Sequence, residues 1–303
     1  MVETFIAELP HGIRLSCRAA GPQGAPVLVF LHGFPEAAFI WDELLAHFAP
    51  RYRCIAPNLR GYEDSSAPED VADYRPKLLV ADIAALIDQC GAPVEALVAH
   101  DWGGAVAWNV AVQHPQRLQR LVIVNSPHPG TFLRELQHNP AQQAASAYMN
   151  FLRRPDAERL LAENDFARLW GFMRGPGGAS SAHWPAWLGE PVRAQYLAVW
   201  RRGLRGPVHY YRASPLHPPT AEDPSLMQLQ LPPQAVTVRV PTHVVWGEAD
   251  SALLPGLLDG LEEFVPQLTM ARIPGATHWV IHEQPARVAQ EIEVALAAPQ
   301  TTT

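Results

Sequence analysis

Cysteine is scarce in this chain. Only Cys17, Cys54 and Cys90 occur among 303 residues, far apart and with no CxxC pair. That argues against a disulfide framework and points to a reducing, cytoplasmic compartment. An excess of positive charge is missing as well. The 23 Lys and Arg are outnumbered by 30 Asp and Glu, for a net charge of −7, which leaves no basic face for nucleic acid or an anionic membrane. There is no HExxH and no clustered Cys/His spacing, so neither a metal nor another cofactor is expected. The apolar runs are strand-sized and far too short to span a bilayer. MVETFIAELPHG, at the start, has neither the basic region nor the apolar stretch of a secretory signal, so none is expected. Internal repeats and low-complexity segments are lacking too, and the closing TTT is expected to fray.

What is present suits a soluble globular protein. The hydrophobic share of 48% supplies a core, and the length fits one large α/β domain or a domain carrying an insertion. Residues 4–9 and 13–19 read as a hairpin around Pro10-His11-Gly12. Val27 to Leu31 is an uninterrupted apolar run, as a strand covered on both faces should be. Helical spacing follows from Trp41 to Phe48, a strand from Arg53 to Pro57, and a helix from Leu78 to Cys90 stopped by Gly91. A strand then runs to Asp101, a helix from Gly104 to Gln113, and a strand from Leu121 to Val124. This alternation implies a mostly parallel twisted sheet with helices on both faces. Its reactive groups belong beyond the carboxyl ends of the strands, where His32, Asp101 and Asn125 stand. From 130 to 236 the alternation stops. Helices are expected at 141–153, 156–163 and 190–202, separated by irregular Gly/Pro stretches. It resumes with a strand at 242–246, a helix near 255–264, a strand at 268–273 and a helix at 285–297. The expected division is a core of residues 1–129 and 237–303, with a helical cap over 130–236.

The chemistry centres on VEALVAHDWGGAV, residues 94–106. Small residues two before and two after Asp101, Ala99 and Gly103, mark a strained strand-to-helix elbow that thrusts out one side chain. Here that side chain is a carboxylate, where a serine is usual. A carboxylate is ionised at neutral pH and attacks without first losing a proton. At a saturated carbon bearing oxygen or halide it forms an alkyl ester, whose carbonyl water can attack. A serine would form an ether there, with no carbonyl to hydrolyse. A lone Asp at a strand end is commonly a helix N-cap, so the partners matter. They are His32-Gly33-Phe34-Pro35, Gly247-Glu248-Ala249-Asp250 and Pro274-Gly275-Ala276-Thr277-His278, each following a strand. Glu248 and Asp259 compete with Asp250 as the acid. His282, one turn beyond His278, is expected to cap or solvate the following helix. His32 and His100 are expected to brace the loop before Phe34. Trp170, Trp184, Trp187 and Trp200 read as packing within the cap, some of them lining an apolar pocket.

On the HGFP loop, the HDWGG elbow, the WGEAD and PGATHW loops and the position of the helical insertion, the sequence resembles the α/β-hydrolase superfamily and, within it, the soluble epoxide hydrolases. The resemblance covers almost the whole chain. It implies hydrolysis of an apolar epoxide to a vicinal diol, with Asp101 as nucleophile, His278 as general base and Asp250 as the acid orienting it. It implies an oxyanion hole from the backbone N–H groups of Phe34 and Trp102. It also implies two cap tyrosines that protonate the opening ring, which fall on Tyr148 in AYMNFLRRP and Tyr211 in HYYRA, with Tyr210 a weaker choice. Haloalkane and haloacetate dehalogenases share the aspartate. The former often carry Asn at the position of Phe34. The latter carry arginines after the nucleophile, where this chain has Trp102 and Ala105, and a His-Trp where it has Tyr148-Met149; His183-Trp184 is a shifted candidate for that pair. A small-molecule binding protein on a retired hydrolase core is a third reading. The partners expected are an epoxide and water, with a homodimer left open.

Overall fold

The computed structural model describes residues 1–174 and 184–298. His183 of the shifted His-Trp pair and the TTT tail lie outside the described residues.

Eight strands form one sheet: β1 (Glu3–Glu8), β2 (Arg14–Ala20), β3 (Val27–Leu31), β4 (Arg53–Pro57), β5 (Ala96–His100), β6 (Leu121–Val124), β7 (Thr242–Gly247) and β8 (Leu268–Ile273). Their order across the sheet is β1-β2-β4-β3-β5-β6-β7-β8. Only β2 runs against its neighbours; from β4 to β8 every pairing is parallel. The physical reason is in the side chains. β4, β5, β6 and β7 are buried at every position, and their apolar runs need cover on both faces. That cover comes from α1 (Asp42–Phe48), α2 (Pro76–Gln89) and α3 (Asp101–Gln113), together with α10 (Val280–Glu283) and α11 (Pro285–Ala297) later in the chain.

Between β6 and β7 the described residues form helices and loops only. These helices are α4 (Pro129–His138), α5 (Pro140–Ala145), α6 (Tyr148–Leu152), α7 (Ala157–Met173), α8 (Glu190–Arg202) and α9 (Arg205–Ala213). The insertion touches the loop after β3, because the Trp200 indole donates to the Pro35 carbonyl at 2.7 Å.

Four details depart from the expected elements. The helix expected at 141–153 is two, α5 and α6, with Ser146 and Ala147 between them. The helix expected at 156–163 continues as α7 to Met173 across a kink, where Asn164, Asp165 and Phe166 all take positive φ. The helix expected near 255–264 is a pair of 3-10 turns, Pro255–Leu258 and Leu261–Glu263, split by Gly260 at φ 72°. Finally, α4 and α9 were not expected. Each has a proline in its first turn, Pro129 and Pro207, which reads as a loop signal yet removes only an N–H that has no helical partner there.

Candidate active site

Asp101 opens α3 with φ of 49°, a left-handed conformation costly for any residue with a Cβ and one that persists only where the surroundings enforce it. The enforcement is visible. A Cβ on Gly103 would lie 2.5 Å from the Leu31 carbonyl oxygen and 2.6 Å from that of His32, so the elbow packs flush on the end of β3. The Ser126 hydroxyl donates to the Asp101 carbonyl at 2.6 Å.

One carboxylate oxygen of Asp101, Oδ1, accepts the Phe34 N–H at 2.7 Å. The other, Oδ2, lies 3.6 Å from His278 Nε2. Trp102 follows in the first turn of α3, where backbone N–H groups lack an intrahelical acceptor. The loop before Phe34 is held by His32. Its Nε2 accepts the Leu59 N–H at 3.0 Å, so its proton is on Nδ1, which donates to the Gly33 carbonyl at 2.9 Å. Burial lowers the pKa of His32 to about 4, which keeps the ring neutral in this role.

His278 Nδ1 contacts Asp250 Oδ2 at 2.7 Å. Asp250 in turn accepts the N–H groups of Ala252 and Leu253, both at 2.9 Å, and the Asn125 amide at 2.9 Å. Burial works against the charge of Asp250, but His278 and these donors outweigh it and hold its pKa below the usual carboxylate range. Burial likewise opposes the charge of His278. The carboxylates of Asp250, Asp101 and Glu36 prevail and raise its pKa to about 9. The competing acids are elsewhere: Glu248 and Asp259 both face Arg272, at 3.5 and 4.0 Å.

Tyr148, from α6, and Tyr211, from α9, meet edge to face with ring centroids 6.1 Å apart. Tyr211 also sets its ring against Phe34 at 5.2 Å and Trp102 at 5.0 Å. Both phenols line the same two chambers as Asp101. Burial, reinforced by neighbouring groups that include Asp101, pushes both pKa values up, so each keeps its proton. The neighbouring Tyr210 spends its hydroxyl on the Arg60 carbonyl at 2.9 Å.

One cluster escaped the sequence reading. Glu36, 1% exposed, contacts His100 Nδ1 at 3.0 Å, the Tyr196 hydroxyl at 2.7 Å and His282 Nε2 at 2.9 Å. His100 Nε2 reaches the His278 carbonyl at 2.9 Å. Burial opposes the charge on Glu36, but these imidazoles hold its pKa well below the usual range. His282 therefore does not cap or solvate the helix after it. Its ring bonds Glu36 and Tyr196 and stacks on Trp187 at 4.5 Å, because a buried carboxylate needs donors more than an exposed helix end needs a cap. The available signal was Glu36 itself, an acid two residues beyond Phe34 in a loop whose neighbours are apolar.

Two chambers open from Asp101. One, of about 220 Å³, follows α3; the other, of about 260 Å³, contains His278, Asp250 and Thr277. Among the described residues no group of three or more His, Cys, Asp or Glu could hold a metal ion. No helix among them is long and apolar enough to cross a membrane.

Comparison with known proteins gives the family and the fold. The family described as alpha/beta hydrolase fold matches residues 26–285. Mouse epoxide hydrolase 4 is 30% identical over 277 residues, which is 90% of this chain and 74% of that protein. A solved structure described among novel epoxide hydrolases in metagenomes from hot environments superposes with a TM-score of 0.84 at 39% identity, covering 98% of this chain and 99% of that one. The Bacillus megaterium epoxide hydrolase, solved with an inhibitor, gives 0.85 at 30% identity, covering 97% and 100%.

Proposed function

The chain belongs to the α/β-hydrolase fold family, and from that premise we propose that it hydrolyses an apolar epoxide to a vicinal diol through an alkyl ester on Asp101. The observation that carries this reading is the placing of one carboxylate between Phe34 N–H, His278 and a pair of protonated phenols. Asp101 Oδ2 attacks a ring carbon and the C–O bond breaks. The departing oxygen is received by the hydroxyls of Tyr148 and Tyr211, one of which yields its proton. The ester so formed is neutral, and Asp101 no longer supports the raised pKa of His278. The imidazolium thereby gives up its proton, which restores the tyrosine that protonated the ring, and the neutral imidazole takes a proton from water. That water attacks the Asp101 carbonyl carbon. The resulting oxyanion sits on the N–H of Phe34 and of Trp102, and its collapse breaks the ester C–O bond. The leaving oxygen takes the proton held by His278 to complete the diol, and the Asp101 carboxyl so formed gives its own proton back to His278. Asp250 holds the ring and compensates its charge.

Residues 130–236 serve as the cap that supplies the phenols, and residues 1–129 with 237–303 as the core. The three cysteines are free, which supports a reducing, cytoplasmic setting. A substrate carboxylate, as in haloacetate dehalogenation, finds no Lys or Arg among the described residues lining either chamber. A single turnover in ¹⁸O-water with enzyme in excess tests the covalent route. Label is expected in Asp101 and not in the diol; label entering the diol first would replace it with direct attack by water.

A further inference from the structure

α3 carries Asp101 at its first residue, and the same helical face continues through Trp102, Ala105 and Val106 to Asn109. The spacing i, i+1, i+4, i+5, i+8 is one stripe of a 3.6-residue helix, and all five residues line the 220 Å³ chamber. The helix is therefore the floor of this chamber, with Asp101 at one end and Asn109 further along. Facing it are apolar side chains of the insertion and of the segment after β6, among them Met149, Leu216 and Phe132.

Apart from the reacting groups Asp101, Tyr148 and Tyr211, the polar side chains of the chamber have commitments of their own. Ser126 donates to the Asp101 carbonyl, Tyr74 to the Pro68 carbonyl and Tyr210 to the Arg60 carbonyl. The Ser214 hydroxyl accepts the Leu216 N–H. Asn109 differs. Its Nδ2 donates to the Ala105 carbonyl at 2.8 Å, and because that partner is an acceptor the orientation of the amide is fixed. No donor among the described residues reaches its Oδ1. Away from its reacting end the chamber thus carries one uncommitted amide oxygen.

We infer that Asn109 is a specificity-determining residue, and that the preferred epoxide carries an apolar tail along α3 with a hydroxyl or amide N–H that donates to Asn109 Oδ1. Eight helical residues separate the two ends, about 12 Å at 1.5 Å per residue, the span of roughly nine extended carbons. The tail passes Ala105, whose short side chain leaves it room. The second chamber, with His278 and Thr277, receives the small side of the ring and the hydrolytic water.

This inference rests on the epoxide reading, so the test separates the two. Terminal epoxides with chains of about five, nine and thirteen carbons, each with and without a hydroxyl at the far end, are compared with styrene oxide as a control, at chain steps set by the helical rise. The hydroxyl should lower KM most at the middle length, by roughly three- to tenfold for one hydrogen bond to a neutral acceptor, with kcat little changed. Asn109→Leu should abolish that preference and speed turnover of the plain nine-carbon epoxide; Asn109→Asp, which keeps an acceptor, should retain it. A hydroxyl preference that is absent at every length, or that survives Asn109→Leu, overturns the assignment while leaving epoxide hydrolysis standing. Inactivity on every epoxide, styrene oxide included, brings down both.

Discussion

Asp250 is held by two backbone N–H groups and an asparagine amide, whereas Tyr211 is held by the edges of Phe34, Trp102 and Tyr148. The contrast divides the molecule. The sheet places its reactive groups on strand ends and pins them with hydrogen bonds to charge, each worth about 1.5–3 kcal/mol. The helical insertion places its groups by packing aromatic rings, at about 0.5–1.5 kcal/mol a pair. A core group should therefore fail all or none, while an insertion group should respond in degrees. The division also matches the two halves of the proposed chemistry. Ring opening needs the phenols; ester hydrolysis needs the histidine and its acid.

The largest expected effect is in the core. His278→Gln removes the base and should slow ester hydrolysis by roughly 10²–10⁴-fold while leaving alkylation in place. Intact mass should then show protein plus one substrate. Absence of an adduct with an epoxide the parent enzyme turns over would contradict the assigned order of steps. The pH profile carries the same test. His278 is raised to about 9 in the free protein, and the carboxylate of Asp101 is among the causes. Esterification deletes that charge, so the hydrolysis rate should rise with pH and level off below pH 9. Asp250→Asn should move the midpoint lower still. The fold feels the same proton: because the folded pKa lies above the ordinary 6.5, its stabilising share is complete below 6.5 and is lost as pH climbs through about 9.

Next in size are the phenols. Tyr148→Phe and Tyr211→Phe each remove a donor to the opening ring, and a lost donor of this kind costs roughly 10²–10³ in rate. The loss should fall on alkylation, seen as a slower burst, with hydrolysis of the preformed ester unchanged. A Tyr211→Phe enzyme with a normal burst would reassign the donor to Tyr148 alone.

The same contrast explains what could be read from sequence. The strands β3 to β7 were legible because their backbone demands cover on both faces and their side chains supply it as short apolar runs. Asp101, Asp250 and His278 were legible because they sit at the ends of those runs, in loops with strong turn chemistry, and the structure brings them together. The insertion has no such grammar. Its α9 begins Arg205-Gly206-Pro207, residues that mark a break in isolation but are tolerated in a first turn. Its rings meet only after folding, so Tyr211 was assigned by resemblance and not from an expected helix. Glu36 was passed over for a related reason. Its partners His100, Tyr196 and His282 are distant in sequence and gather only when α8 and α10 dock on the β3 loop.

The smallest expected effect lies where the two regions meet, and it separates geometry from stability. Gly206, in the first turn of α9, packs on Gly61 of the core: a Cβ at Gly206 would lie 2.5 Å from Gly61 Cα. Gly206→Ala has two opposed consequences. Alanine favours the helix over glycine by about 1 kcal/mol, while overpacking of this kind costs about 1–3 kcal/mol. Gly61 has little freedom to retreat, since it sits at φ 88° and its N–H is bonded to the Ser66 carbonyl at 2.9 Å. The helix should move instead, and it carries Tyr211 five residues on. The expected result is a melting temperature within a few degrees of the parent, alkylation slowed by roughly tenfold, and unchanged hydrolysis of the ester. A fall in melting temperature with alkylation intact would mean that the seat of α9 stabilises the joint without setting the phenol, and that Phe34 and Trp102 alone align Tyr211.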